Sequence, residues 1–166
     1  LGVGAVVGLV GRRAPVCGEA VTFIARGANL GAIRSHGIRL LTGANEEAVP
    51  QVKAPDDCAS AGPQDVIILA MKAHQVEAVA PEVPKMFGPD TVVIPMQNGI
   101  PYWYFHRHAG KLEGTRVKSV DPSGLISEHI PCERVIGCVV YPAAELLSPG
   151  VIKHVEGNSF PVGEPG

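Results

Sequence analysis

Apolar residues in this chain come in short runs set off by glycine, proline and polar turns. The clearest run is Asp65-Val66-Ile67-Ile68-Leu69-Ala70, whose near-continuous apolar character predicts a parallel strand covered on both faces. Thr91-Val92-Val93-Ile94-Pro95 predicts the next strand. Upstream, Ala20 to Ala25 is β-branched and aromatic in its middle and predicts another. Ala28 to Ser35, with Leu30 and Ile33 three apart, predicts a short helix closed by His36-Gly37. Ile38 to Leu41 and Val49 to Lys53 flank the polar turn Thr42 to Asn45 and read as a hairpin or two short strands. Val76 to Met86 is helix-like, but Pro81 and Pro84 bend or break it. Val135 to Val140 predicts a further strand leading into Tyr141 to Ala144. Gly150 to Val155 and Ser159 to Val162 predict a closing pair of strands around Gly157-Asn158. At the other end, Ala5 to about Cys17 reads as a helix, made irregular by Pro15 and ended by Gly18.

Three places in this pattern carry candidate chemistry. Gly2-Val3-Gly4-Ala5-Val6-Val7-Gly8 has two glycines two apart at a strand-to-helix turn. The first supplies the tight turn, and the second lets backbone approach a pyrophosphate at the helix N-terminus. Val7 stands where a dinucleotide fold places its third glycine, and Gly8 follows it. A hydrophobic, glycine-rich packing segment is the alternative reading. Arg26 ends the run Val21 to Ala25, about 20 positions on, where an acidic residue would bond the ribose 2′-hydroxyl of NAD. An arginine there either fits the 2′-phosphate of NADP or is an exposed strand-end charge. Lys72 and Asn98 follow two consecutive strands, and in doubly wound sheets ligands bind outside the carboxyl ends of strands. Each is otherwise a solvated loop residue.

Composition narrows the class. With 166 residues, 46% of them hydrophobic and 18% charged, the chain reads as one ordered domain spanning 1–166. A net charge of −2 and 5% aromatic residues argue against a nucleic-acid partner. No run reaches the roughly 18 apolar residues of a membrane span. Cys17, Cys58, Cys132 and Cys138 lack C-x-x-C spacing and read as reduced thiols of a cytoplasmic protein. His106 and His108 close the stretch Pro101 to His108 that gathers Tyr102, Trp103, Tyr104 and Phe105, which reads as a packed turn with no metal.

Taken together, the glycine turn Gly2 to Gly8, Val21 to Gly27, Val66 to Gln75 with Lys72, and Pro95-Met96-Gln97-Asn98-Gly99-Ile100-Pro101 resemble the ketopantoate reductases (2-dehydropantoate 2-reductases). The likeness is to their N-terminal NADPH-binding domain, and Arg134 to Glu145 and His154 to Asn158 fit its last strands. It implies a Rossmann-type α/β fold with a doubly wound, mostly parallel sheet, and NADPH-dependent reduction of 2-dehydropantoate to pantoate. Gly2, Val3, Gly4, Ala5, Val6 and Val7 would hold the pyrophosphate and Arg26 the 2′-phosphate. Lys72 would lie along the cofactor. Asn98 would touch the nicotinamide side and the substrate, and Ala143 would meet the cofactor through its backbone.

The resemblance also sets expectations about extent. The family's first strand precedes its glycine turn, and a helical second domain supplies a lysine acid and a substrate-binding carboxylate. This sequence is expected to carry the cofactor-binding part without either, and so to show no measurable ketoacid reduction on its own. A homodimer is open to the full-length form, through contacts in the second domain. The alternatives are a nucleotide-binding paralogue without turnover, or an NADP-linked reductase of another 2-oxo acid.

Overall fold

The structure, a computed structural model, describes Val10 and residues 19–43, 45–49 and 52–165. The glycine turn Gly2 to Gly8 and the helix expected to about Cys17 and Gly18 lie outside the described residues, save Val10. The chain divides into two compact units: Leu1–Ala61 with Tyr141–Ser159, and Gly62–Val140 with Phe160–Gly166.

In the first unit, Phe23, Ile24 and Ala25 are buried, as their apolar run predicts. Their ladder is short: Thr22 bridges Lys53 in parallel, and Phe23 N–H donates to the Lys53 carbonyl at 2.8 Å. Helix α1, Gly27–His36, follows and turns Leu30 and Ile33 inward. Gly37 closes it with φ +72, a left-handed value open to glycine, and its N–H donates to the Ile33 carbonyl at 2.9 Å. Strand β1, Ile38–Thr42, then pairs antiparallel with β2, Asn45–Val49. The second strand thus begins four residues before the Val49 expected from the apolar pattern. With Thr42 opposite Asn45, pairing runs out at Ile38 opposite Val49, and Lys53 is left to bridge Thr22.

β1 also pairs in parallel with β7, Val151–Glu156, which pairs antiparallel with β6, Ala143–Ser148. The sheet order is β2-β1-β7-β6. Leu40 and Ile152 face each other in the parallel register and are both fully buried, each contributing about 1.5–3 kcal/mol. β6 begins at Ala143, beyond the strand expected to end at Val140. It is an edge strand whose residues 145–148 are exposed, so it carries no apolar alternation to read.

In the second unit, β3, Gln64–Leu69, and β4, Phe87–Pro95, form a parallel pair with Val66 opposite Val92 and Leu69 opposite Pro95. Ile67, Leu69 and Val93 are buried, but Val66 is 48% exposed. One face of β3 is therefore covered where two were expected. Between the strands, Ala80–Met86 winds as a 3₁₀ helix burying Ala80, Val83 and Met86. Pro81 and Pro84 lack the N–H groups an α-helix would need, which accounts for the departure from α geometry.

The strand expected over Val135 to Val140 reduces to a parallel bridge between Val93 and Val135, followed by β5, Gly137–Cys138. β5 pairs antiparallel with β8, Val162–Gly163. The two closing strands therefore pair with other partners instead of with each other. Helix α2, Leu125–His129, was not legible in the sequence. It is held by Asp121, whose carboxylate accepts from Ile126 N–H and Ser127 N–H at 3.1 Å each, and from Ser127 Oγ at 2.6 Å. Among the described residues no helix is long and apolar enough to cross a membrane.

Candidate functional site

Because Leu69 and Pro95 are register partners, the chain leaves β3 and β4 at the same edge of the sheet. Met96 N–H donates to the Leu69 carbonyl at 3.0 Å, and Gln97 Nε2 donates to the same oxygen at 2.7 Å. Both lone pairs of that buried carbonyl are thereby used. Asn98 comes next. Its Nδ2 donates to the Val140 carbonyl at 2.9 Å and its Oδ1 accepts from Val140 N–H at 3.0 Å. Partners of opposite polarity define which way the amide points. The side chain is exposed, with one N–H and one lone pair left for a ligand.

Lys72 stands three residues beyond Leu69. Its N–H donates to Gln75 Oε1 at 3.2 Å, and its carbonyl accepts from Gln75 N–H at 2.9 Å, which fixes the turn Ala73–Gln75. The side chain is exposed, and among the described residues no carboxylate forms an ion pair with its ammonium. The structure thus brings Lys72 and Asn98 to neighbouring strand ends of the second unit.

A hollow of about 30 Å³ opens beside Asn98, lined by Leu69, Val76, Ile100, Tyr102 and Trp103 among others. That is room for a water or two. Tyr102 is its fixed wall: the buried hydroxyl donates to the Ile130 carbonyl at 2.7 Å, and its ring meets Trp103 edge-on at 4.8 Å. Burial, with the charges of Cys132, Asp121 and Glu133, pushes its phenol well above the ordinary tyrosine value. The aromatic stretch is thus a packed turn at this point, although Tyr104 is 52% exposed. His108 lies against Phe105 at 5.5 Å.

Arg26 and Ala143 belong to the first unit. Arg26 is extended and exposed, immediately before α1. Among the described residues that helix has no side-chain cap and no acidic residue in its first turn to meet its leading N–H groups. Ala143 is half-buried at the start of β6, opposite Glu156. Of the cysteines, Cys58 is buried, and burial pushes the thiols of Cys132 and Cys138 up, away from the reactive thiolate.

The sequence profile of the family described as ketopantoate reductase PanE/ApbA spans residues 1–166. This chain belongs to that family. A 2-dehydropantoate 2-reductase of Mesorhizobium japonicum is 44% identical over 165 residues, 99% of this chain and 50% of that protein. The crystal structure of a candidate ketopantoate reductase from Ralstonia solanacearum, 43% identical, has a TM-score of 0.92 over 99% of this chain and 50% of that one. D-mandelate dehydrogenase, solved with NADH and anilino(oxo)acetate, shares the fold at a TM-score of 0.77 and 21% identity, over 99% of this chain and 47% of that one.

The chain spans about half the length of the curated relatives it matches. Its fold is that of the Rossmann-type α/β part of the ketopantoate reductases, with parallel strands in a mixed sheet. Sequence reasoning expected Lys72 and Asn98 just beyond two consecutive strands, and they stand after β3 and β4. It missed the bonds that seat Asn98 and Gln97, whose partners lie 42 and 28 residues away.

Proposed function

We propose that this chain is the NADPH-binding part of a ketopantoate reductase that reduces 2-dehydropantoate, a small 2-oxo acid, to pantoate. The observation that carries the reading is the placement of Lys72 and Asn98 at neighbouring ends of β3 and β4, in a chain matching the family from residue 1 to residue 166. Its electrostatics support an anionic, nicotinamide-type cofactor. Arg26 stands exposed before an uncapped helix, and Lys72 has no carboxylate paired with it among the described residues.

In this reading Gly2 to Val7 cradle the pyrophosphate, Arg26 takes the 2′-phosphate, and Ala143 offers backbone. Lys72 lies along the cofactor, which supplies the hydride when bound. Asn98, its amide seated on Val140, offers its remaining N–H and lone pair to the nicotinamide side and to the substrate. The alkoxide left by hydride transfer needs a positioned acid, which the resemblance assigns to a lysine of the second domain. A cytoplasmic setting and a homodimeric full-length form belong to the same reading.

The test is to titrate NADPH and NADH, then follow NADPH oxidation by the full-length protein with 2-dehydropantoate and a panel of other 2-oxo acids. Tighter binding of NADPH and turnover of 2-dehydropantoate are expected. Equal affinity for both cofactors, or turnover confined to another 2-oxo acid, would overturn the reading.

A further inference from the structure

The glutamine of the Gln97-Asn98-Gly99 stretch has no part in the chemistry above, yet its side chain is committed. Leu69 is fully buried, and its carbonyl, the last of β3, accepts Met96 N–H as a continuation of the ladder. The second lone pair of a buried carbonyl would otherwise go unmet, and Gln97 Nε2 fills it at 2.7 Å. Asn98 then does the same for the segment after β5, through Val140. Two consecutive amide side chains thus tie three chain segments together where the strands end. Neither belongs to the sheet ladder, so the parallel pair can form without them. Gln97 joins the exit of β4 to the last residue of β3, three residues before Lys72, and Asn98 joins that exit to the segment after β5.

We infer that Gln97 is a positioning residue, holding the Lys72 and Asn98 turns in one arrangement for the cofactor by bracing the Leu69 carbonyl. This rests on the proposed binding of a nicotinamide dinucleotide. A primary amide donates to a carbonyl at every physiological pH. A carboxylate at the same place repels that oxygen, whereas a protonated carboxyl can donate to it again.

The experiment measures the Kd of NADP⁺ by calorimetry at pH 8 and pH 5 for wild type, Gln97→Glu and Gln97→Met, alongside their melting temperatures. Affinities are taken as the ratio to wild type at each pH, since the cofactor's own phosphate titrates in this range. Gln97→Glu should bind about tenfold more weakly at pH 8 and recover most of that at pH 5, where a carboxyl set against a carbonyl is largely protonated. Gln97→Met, which has no donor, should bind about three- to tenfold more weakly at both pH values. Should Gln97→Glu fail to fold at pH 8, Gln97→Met decides. Variants that melt lower yet bind NADP⁺ like the wild type at both pH values overturn the inference alone. A folded wild type that binds neither NADP⁺ nor NAD⁺ overturns the inference together with the reading beneath it.

Discussion

Asn98 pairs with Val140 as one strand residue pairs with another: its side-chain amide gives a hydrogen bond to the Val140 carbonyl at 2.9 Å and takes one from the Val140 N–H at 3.0 Å. The two residues are 42 apart in the chain, so the contact joins the exit of β4 to the segment following β5. Asn98→Ala removes both bonds and should lower stability by about 1–2 kcal/mol, since each neutral bond is worth roughly 0.5–1.5 kcal/mol net. Asn98→Asp should cost more at pH 7.5, because a carboxylate faces the Val140 carbonyl, and should approach the alanine variant or better at pH 4. Urea denaturation at the two pH values checks this. An aspartate variant as stable as wild type at pH 7.5 would show that the pairing contributes nothing.

Arg26 stands extended at the start of α1 with its guanidinium exposed. A charge-assisted bond to a 2′-phosphate contributes roughly 1.5–3 kcal/mol, and exposure to solvent puts the expected effect at the lower end. Arg26→Ala should therefore weaken NADPH binding by about tenfold while leaving NADH binding within about twofold. Parallel fluorescence titrations of both cofactors measure it. An equal loss for the two would place Arg26 away from the 2′-position.

Asp121 is fully buried. Burial alone would raise its carboxyl, but the Ser127 hydroxyl, the N–H groups of Ser127 and Ile126, and the charge of Arg116 outweigh it and hold the group below the ordinary aspartate value. A depressed carboxyl stabilises the fold above its unfolded pKa, near 4, and that contribution is lost as pH falls through the folded value. Asp121→Asn, which cannot serve all three donors with one oxygen, should lower stability by about 1–3 kcal/mol at pH 7. The deficit should shrink at pH 3. A pH-independent difference between the denaturation curves would refute the linkage.

Tyr102 is the opposite case, a neutral acid kept protonated by burial. With its folded pKa raised, the stabilisation is fully present below the unfolded value, near 10, and fades as pH rises above it. Tyr102→Phe should cost about 1–2 kcal/mol at pH 7, since the Ile130 carbonyl loses its donor. It should also flatten the alkaline limb of the stability curve and remove the late-ionising fraction of tyrosinate absorbance. An unchanged alkaline limb would mean that Tyr102 is not the group responsible.

Local order was written in the chain wherever a short run decides its own conformation. Leu30 and Ile33 at helical spacing, closed by a glycine that can take φ +72, are enough to specify α1. The β-branched runs of β3 and β4 likewise announce parallel strands, and the residues just beyond them, Lys72 and Asn98, are candidates on that ground alone. Partner choice was not written there. Whether 151–156 pairs with 159–162 or with β1 and β6 depends on which distant segment can bury Ile152 opposite Leu40. An edge strand such as β6, whose outer residues face water, has no apolar pattern to betray it. The seating of Gln97 on Leu69 and of Asn98 on Val140 is of the same kind. A side-chain amide meets whatever carbonyl or N–H the fold leaves within reach, and only the packed tertiary structure brings together groups 28 and 42 residues apart.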